Sequence, residues 1–228
     1  MLLDDYTVLD FETTGLCPEL DDVIEIGAIR IRHGREVARF GCLVHTDKPL
    51  APVISALTGL RADDLVCGFE QKAAFRQLNL LVGHSTLVCH HAAFDVSFYA
   101  QAWRRFSGGV ALTNDFLCTR VLAQRLLPDL ARIVRRANGM LESPYSLANL
   151  CAHFQRPRTE AHRALGDCAD TEFLLARLLW DEFDYPPSMF DELRNTVCAA
   201  RGQDYAGGQQ LRCLPAHATW EGKGVRRG

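Results

Sequence analysis

No stretch of the chain approaches the roughly 18 consecutive apolar residues of a membrane span, and Asp4 and Asp5 interrupt what would have to be an apolar leader. The expectation is a cytoplasmic protein with no membrane partner. Cys-x-x-Cys pairs are also missing. The nine cysteines (Cys17, Cys42, Cys67, Cys89, Cys118, Cys151, Cys168, Cys198 and Cys213) are scattered and odd in number, which fits reduced, mostly buried thiols rather than a disulfide framework. Nor is there an excess of positive charge. A formal net charge of −3 argues against coating long duplexes, but leaves room for gripping a few terminal nucleotides.

What is present is acid in particular places. Asp10 and Glu12, in Tyr-Thr-Val-Leu-Asp-Phe-Glu-Thr-Thr-Gly, are separated by one residue. Residues i and i+2 of a strand face the same way, so the apolar lead-in Val8-Leu9 presents both carboxylates side by side as a cation site. A lone Asp-x-Glu is more often two solvated acids. The balance changes with Asp95, inside Cys-His-His-Ala-Ala-Phe-Asp, and with His162 and Asp167, inside Ala-His-Arg-Ala-Leu-Gly-Asp. A zinc site built from Cys89, His90, His91, Cys151, His153, His162 and Cys168 is the weaker alternative, because structural zinc ligands are usually spaced more tightly.

These three ordered segments resemble the motifs of the DEDD exonucleases of the histidine subclass, the family that includes the epsilon proofreading subunit of bacterial replicative DNA polymerase. The similarity runs from about Tyr6 to Leu179. His91 stands where the family usually has Asn; since His also donates a hydrogen bond, the departure touches local bonding rather than the metal site. The resemblance implies an α/β, ribonuclease H-like fold with a mixed five-stranded sheet flanked by helices. It also implies two Mg²⁺ or Mn²⁺ ions held by Asp10, Glu12, Asp95 and Asp167, with Asp10 bridging both and His162 as general base. Thr13 and Leu16 would meet the terminal nucleotide, Leu57 and Thr58 would form the second wall of its pocket, and Phe94 would lie beside it, more as packing than stacking. The partner implied is a nucleic acid 3′ end, single-stranded DNA or a frayed duplex, with a polymerase or other protein as a further partner.

With 228 residues, 48% of them hydrophobic and 23% charged, the chain can bury one good core. Residues 1–184 read as the exonuclease domain and 185–228 as an extension, a helix over Ser188 to Ala200 followed by a Gly-rich tail. Strands are expected at 6–10, Val23 to Ile31 and Val37 to Val44, with His33-Gly34 turning between the last two, and short connections make these an antiparallel meander. Thr86 to Cys89 and Leu112 to Leu117 read as the fourth and fifth strands. Helices are expected over Pro52 to Leu57, Phe69 to Leu81, Thr119 to Leu127, Asp129 to Asn138 and Ser146 to Phe154, with a last one ending at Trp180. The stripe Asp95, Phe98, Tyr99, Ala102, Phe106 puts Asp95 in the first turn of a helix, on its core face. His162 and Asp167 would lie about 140° apart around one continuous helix, so His162 belongs before the helix or in a loop.

Phosphodiester hydrolysis needs a hydroxide near neutral pH and neutralisation of the charge that builds on the phosphorus oxygens. Hard oxygen ligands suit the divalent ions that supply both, and clustered carboxylates without a cation raise one another's pKa. An imidazole, ordinarily titrating near 6.5, can take the proton of the attacking water. Among the arginines, Arg132, Arg135 and Arg136 could line a groove, and Arg156, Arg158 and Arg163 could approach the scissile end, with Arg163 favoured because it follows the motif histidine. Glu25 reads as an acid paired with a nearby base or with solvent. The expected activity is release of 5′-mononucleotides from a 3′ end, DNA favoured. The alternatives are RNA 3′-end trimming and a catalytically idle nucleic-acid-binding module of the same fold.

Overall fold

The computed structural model describes residues 3–130, 134–135, 141–158, 160–181, 196–198 and 212–214. Its centre is a five-stranded mixed sheet in the order β3-β2-β1-β4-β5, built from β1 (Asp5–Thr13), β2 (Val23–Arg32), β3 (Arg35–Leu43), β4 (Thr86–Cys89) and β5 (Phe116–Cys118). The first three form the antiparallel meander, while β4 runs parallel to β1 and β5 parallel to β4. His33 and Gly34 make the two-residue turn between β2 and β3 with φ of 50° and 70°, the positive pair that a type I′ hairpin requires. Central strands β1 and β2 are buried along almost their whole length, whereas β3 is an exposed edge.

Helices α1 (Pro52–Thr58), α2 (Ala62–Leu65) and α3 (Gln71–Val82) follow the meander, and α4 (Ala92–Phe106) follows β4 after a two-residue link. The rings of Phe11, Phe75, Tyr99, Trp103 and Phe106 pack in a chain between β1, α3 and α4, with centroids 5.8 to 6.5 Å apart. Burying each such side chain stabilises the fold by roughly 1.5–3 kcal/mol. Past β5 come α5 (Thr119–Leu126), α6 (Leu147–His153), capped by the Ser146 hydroxyl accepting from Asn149 N–H, and α7 (Ala164–Ala176), which packs across β1 and β2.

Three expected elements need correction. The fifth strand is shorter and later than Leu112 to Leu117, because Leu112 to Asp115 lead up to the sheet without pairing in it as strand. The helix expected over Asp129 to Asn138 does not form where the chain is described. A 3₁₀ turn at Pro128–Leu130 and the strand β6 (Val134–Arg135), paired with β7 (Leu141–Glu142), replace it. Asn138-Gly139 between those strands is a hairpin signal that outweighs the helical spacing. In the extension, Thr196–Cys198 is a strand, β8, paired in parallel with β9 (Arg212–Leu214), so those residues are not in the expected helix. The rest of that helix lies outside the described residues.

Cys17, Cys42, Cys67, Cys89, Cys118, Cys151 and Cys168 are free, and the last four of these are buried. No helix among the described residues is long and apolar enough to cross a membrane.

Candidate active site

Asp10 and Glu12 alternate along β1, so their side chains share one face near the strand's end. Because β4 is parallel to β1, it finishes at the same edge of the sheet, and the chain turns at once into α4. Asp95, in the first turn of α4, is 2% exposed and accepts the Phe11 backbone N–H at 3.1 Å. That bond ties the second motif to the residue between the two acids of the first.

The third segment arrives through glycine. Gly27 of β2 lies directly opposite Asp10, and a Cβ there would fall 2.3 Å from the carbonyl of Ala164, the first residue of α7. Only a bare backbone lets α7 sit that close, which carries Asp167 of its first turn to the two acids. Gly166 performs a similar service for the preceding loop, since a Cβ there would sit 2.5 Å from the Glu160 carbonyl oxygen. His162 precedes α7 with φ of 60°, a left-handed conformation uncommon for a residue with a side chain. Its ring, Glu12 and Asp167 offer ligand atoms all within 4.8 Å of one another.

Burial, reinforced by the crowding of acids, dominates the electrostatics. Burial first, then Asp95, Asp167 and Glu12, pushes the Asp10 carboxyl well above its ordinary range. Burial, Asp167, Glu25 and Asp95 raise Glu12 to about 8. Asp95 also rises to about 8, chiefly through burial, which the Phe11 N–H opposes. Asp167 is raised by burial despite the nearby Arg158 and His162. Such a set of hard oxygen donors, each raised above its normal pKa chiefly by burial, has the composition that divalent cations complement.

The arginines expected at the scissile end have internal partners. Arg156 Nε and Arg158 Nε each donate to Asp170 at 2.8 Å, and Arg158 Nη2 donates to Asp167 Oδ1 at 2.5 Å. Arg163 forks onto Glu25, its Nη2 donating to Oε1 at 3.0 Å and its Nε to Oε1 at 3.1 Å. Glu25 therefore has the basic partner expected of it, and Arg163 faces an acid of β2 rather than standing free for substrate. The side chains of Arg132, Arg135 and Arg136 lie outside the described residues.

Around the site, Leu16 is 69% exposed and Leu57 48%, so neither is a core residue. Leu16 rides on a loop knitted by Thr14 N–H donating to the Asp22 carbonyl at 2.9 Å and by Cys17 N–H donating to the Asp21 carboxylate at 2.8 Å. Thr13 donates its hydroxyl to the Gly15 carbonyl. Thr58 is 4% exposed, and its hydroxyl donates to the Ile54 carbonyl and accepts from Leu60 N–H, so of the expected Leu57-Thr58 wall only the leucine presents its side chain. Phe94 is half-buried and tilted against Phe98, ring centroids 4.9 Å apart, which is packing.

The cysteines and histidines of the zinc alternative do not gather among the described residues, where Glu12, His162 and Asp167 form the one candidate group. His90 is instead a half-buried strut. Its Nε2 faces the Tyr145 carbonyl at 3.1 Å and its Nδ1 the Thr119 hydroxyl at 3.0 Å, and burial holds its pKa down at about 3. His91, at the N-cap of α4, makes no capping bond with its side chain.

The family model RNase_T, described as exonuclease, matches residues 7–172. PolC-type DNA polymerase III of Bacillus cereus is 29% identical over 214 residues, and that of Oceanobacillus iheyensis 30% over 220, covering 94% and 96% of this chain. The chain spans only 14% of the length of either relative. Among solved structures, E. coli Exonuclease I in complex with a dT13 oligonucleotide matches with a TM-score of 0.63 at 16% identity, over 83% of this chain and 43% of that one. Exonuclease X in complex with 5′ overhanging duplex DNA gives 0.59 at 22% identity, over 82% of this chain and 98% of that one. At these identities the structural likeness speaks for the fold, which is ribonuclease H-like.

Proposed function

The chain belongs to the RNase_T exonuclease family, and from that membership we propose that it is a 3′-5′ exonuclease that releases 5′-mononucleotides from DNA ends. One observation carries the reading: Glu12, His162 and Asp167 offer ligand atoms within 4.8 Å of one another, and Asp10 and Asp95 are near enough to these acids to feel their charge, so that three distant segments meet. Residues 1–184 form the catalytic domain in this reading.

Asp10, Glu12, Asp95 and Asp167 would hold the divalent cations, two Mg²⁺ or Mn²⁺ ions in this reading. When bound, these cations would offset the repulsion among the acids, lower the pKa of water and neutralise charge on the phosphate oxygens. His162, displayed on its loop beside Glu12 and Asp167, takes the proton of the attacking water, a role typically worth 10²- to 10⁴-fold in rate. Exposed Leu16 and Leu57 supply apolar contacts to the terminal base, and the rigid loop behind Leu16 fixes where that base stops. Asp95, clamped by the Phe11 N–H, keeps the second motif in register with the first.

DNA is favoured because the PolC-type relatives are DNA polymerases and both structural neighbours above hold DNA. A polymerase or other protein partner fits the same relatives. The test is digestion of end-labelled single-stranded DNA, duplex DNA with a 5′ overhang, and RNA of matching sequence. Shortening from the 3′ end one nucleotide at a time, stopped by EDTA and restored by Mg²⁺ or Mn²⁺, is the expected result. Faster loss of RNA would make the protein an RNA-trimming enzyme, and binding without release would make it an idle module.

A further inference from the structure

His162 stands in a backbone conformation that a residue with a side chain seldom adopts, φ of 60°, and a contact must hold it there. Part of that hold is local, because the Asp167 carboxylate accepts the His162 backbone N–H, and a second hold comes from across the sheet. The immediate successor of His162, Arg163, is the N-cap of α7, and the Arg163 side chain reaches across to β2, where it grips Glu25 with three hydrogen bonds of 3.0 to 3.2 Å. Glu25 is an anchored partner: its side chain is 7% exposed, while that of Arg163 is 48% exposed. The β1–β2 register sets Glu25 directly opposite Glu12, so the two acids share a face of adjacent strands. A guanidinium at that point offsets the repulsion of a cross-strand like-charge pair and fastens the residue next to His162 to the strand beside the catalytic acids.

We propose that Glu25 and Arg163 are positioning residues that act as a clamp, fixing the His162 loop against β2 so that its imidazole is held where the attacking water is deprotonated. Neither residue touches the reacting atoms in this arrangement. The inference rests on the exonuclease reading above, and it differs from a substrate-binding role for Arg163, which would act on affinity for the nucleic acid.

Removing one partner alone would leave a buried or half-buried charge unpaired, so the informative variant replaces both, Glu25→Gln with Arg163→Met. Full-length protein is assayed on single-stranded DNA with Mn²⁺, with and without His162→Ala. The clamp variant should lose about 10- to 100-fold in kcat, a share of the general-base contribution. Its KM and its half-saturating Mn²⁺ concentration should stay within about threefold of wild type. On the His162→Ala background the same replacement should cost less than about twofold, because a misplaced base and an absent base are the same loss. Independently of activity, amide hydrogen exchange in metal-free protein should accelerate across residues 160–163 and stay unchanged in β1 and α4.

An unaltered kcat, a loss that multiplies in full with that of His162→Ala, or a loss confined to KM would each overturn the clamp. Wild-type protein with no EDTA-sensitive release of nucleotides would instead overturn the exonuclease reading, and the clamp with it. The two failures are thus distinct at the bench.

Discussion

Glu12→Gln should stabilise the metal-free protein while abolishing its activity. Burial and the surrounding acids lift Glu12 from its ordinary 4.5 to about 8, so near neutral pH the folded state retains a proton that the unfolded chain has released. Where the native state binds more protons than the unfolded one, stability falls as pH rises. The metal-free protein should therefore be most stable below pH 4.5 as far as this group is concerned, and lose that stability progressively up to about pH 8. An isolated group shifted this far would cost about 5 kcal/mol at full ionisation. Glu12 shares its repulsion with Asp10, Asp95 and Asp167, and protonating any one relieves the others, so about 2 kcal/mol is the expected gain from Gln at pH 8.

For a chain of this size that corresponds to roughly 4–8 °C in Tm. Thermal melts in EDTA at pH 5.5 and pH 8.0 read it directly. Wild type should melt lower at the higher pH, and Glu12→Gln should narrow the gap. Saturating Mg²⁺ should raise the wild-type Tm at pH 8, since a ligand at 100 times its Kd adds about 2.7 kcal/mol, and should raise that of the variant much less. A variant that melts at or below wild type at pH 8 would show that the acids do not strain the metal-free fold.

Gly27→Ala should shift α7 away from β2, because its Cβ would meet the Ala164 carbonyl at 2.3 Å; denaturant titration should show a loss of about 1–3 kcal/mol, and nucleotide release should fall with it. Gly166→Ala should disturb the Glu160 to His162 loop more than the core, so kcat should drop while the unfolding midpoint moves little. Half-saturating Mg²⁺ should decrease as pH rises from 6 to 8, since cations must displace protons from carboxyls lifted to about 8; proton release measured by calorimetry in buffers of different ionisation enthalpy checks the cause. Leu16→Ala, at an exposed position, should leave Tm unchanged and weaken oligonucleotide binding by about 1–2 kcal/mol if the leucine is partly buried against the terminal base.

How far the site was legible before folding differs from residue to residue. Asp10 and Glu12 announce themselves because strand alternation turns a one-residue gap into a shared face. Asp95 follows from the helical stripe through Phe98, Tyr99, Ala102 and Phe106, and the placement of His162 ahead of a helix follows from the angular gap to Asp167. Arg158, Arg163 and Glu25 were visible as charges, but which partner each takes was hidden, since residues 138 positions apart in the case of Arg163 and Glu25 leave no local trace. Gly27 carried a readable signal, a glycine inside a strand otherwise rich in Ile and Val, but not its meaning.

Local chemistry, then, determined the order of the five main-sheet strands, the meander, and which acids could serve a cation, because periodicity and turn propensity act over a few residues. Tertiary structure alone decided that β4 ends at the same edge as β1, that a missing Cβ at Gly27 admits α7, and that the arginines are engaged by Asp167, Asp170 and Glu25. Those outcomes depend on backbone approach and charge pairing across the sheet, interactions that exist only once the chain has closed on itself.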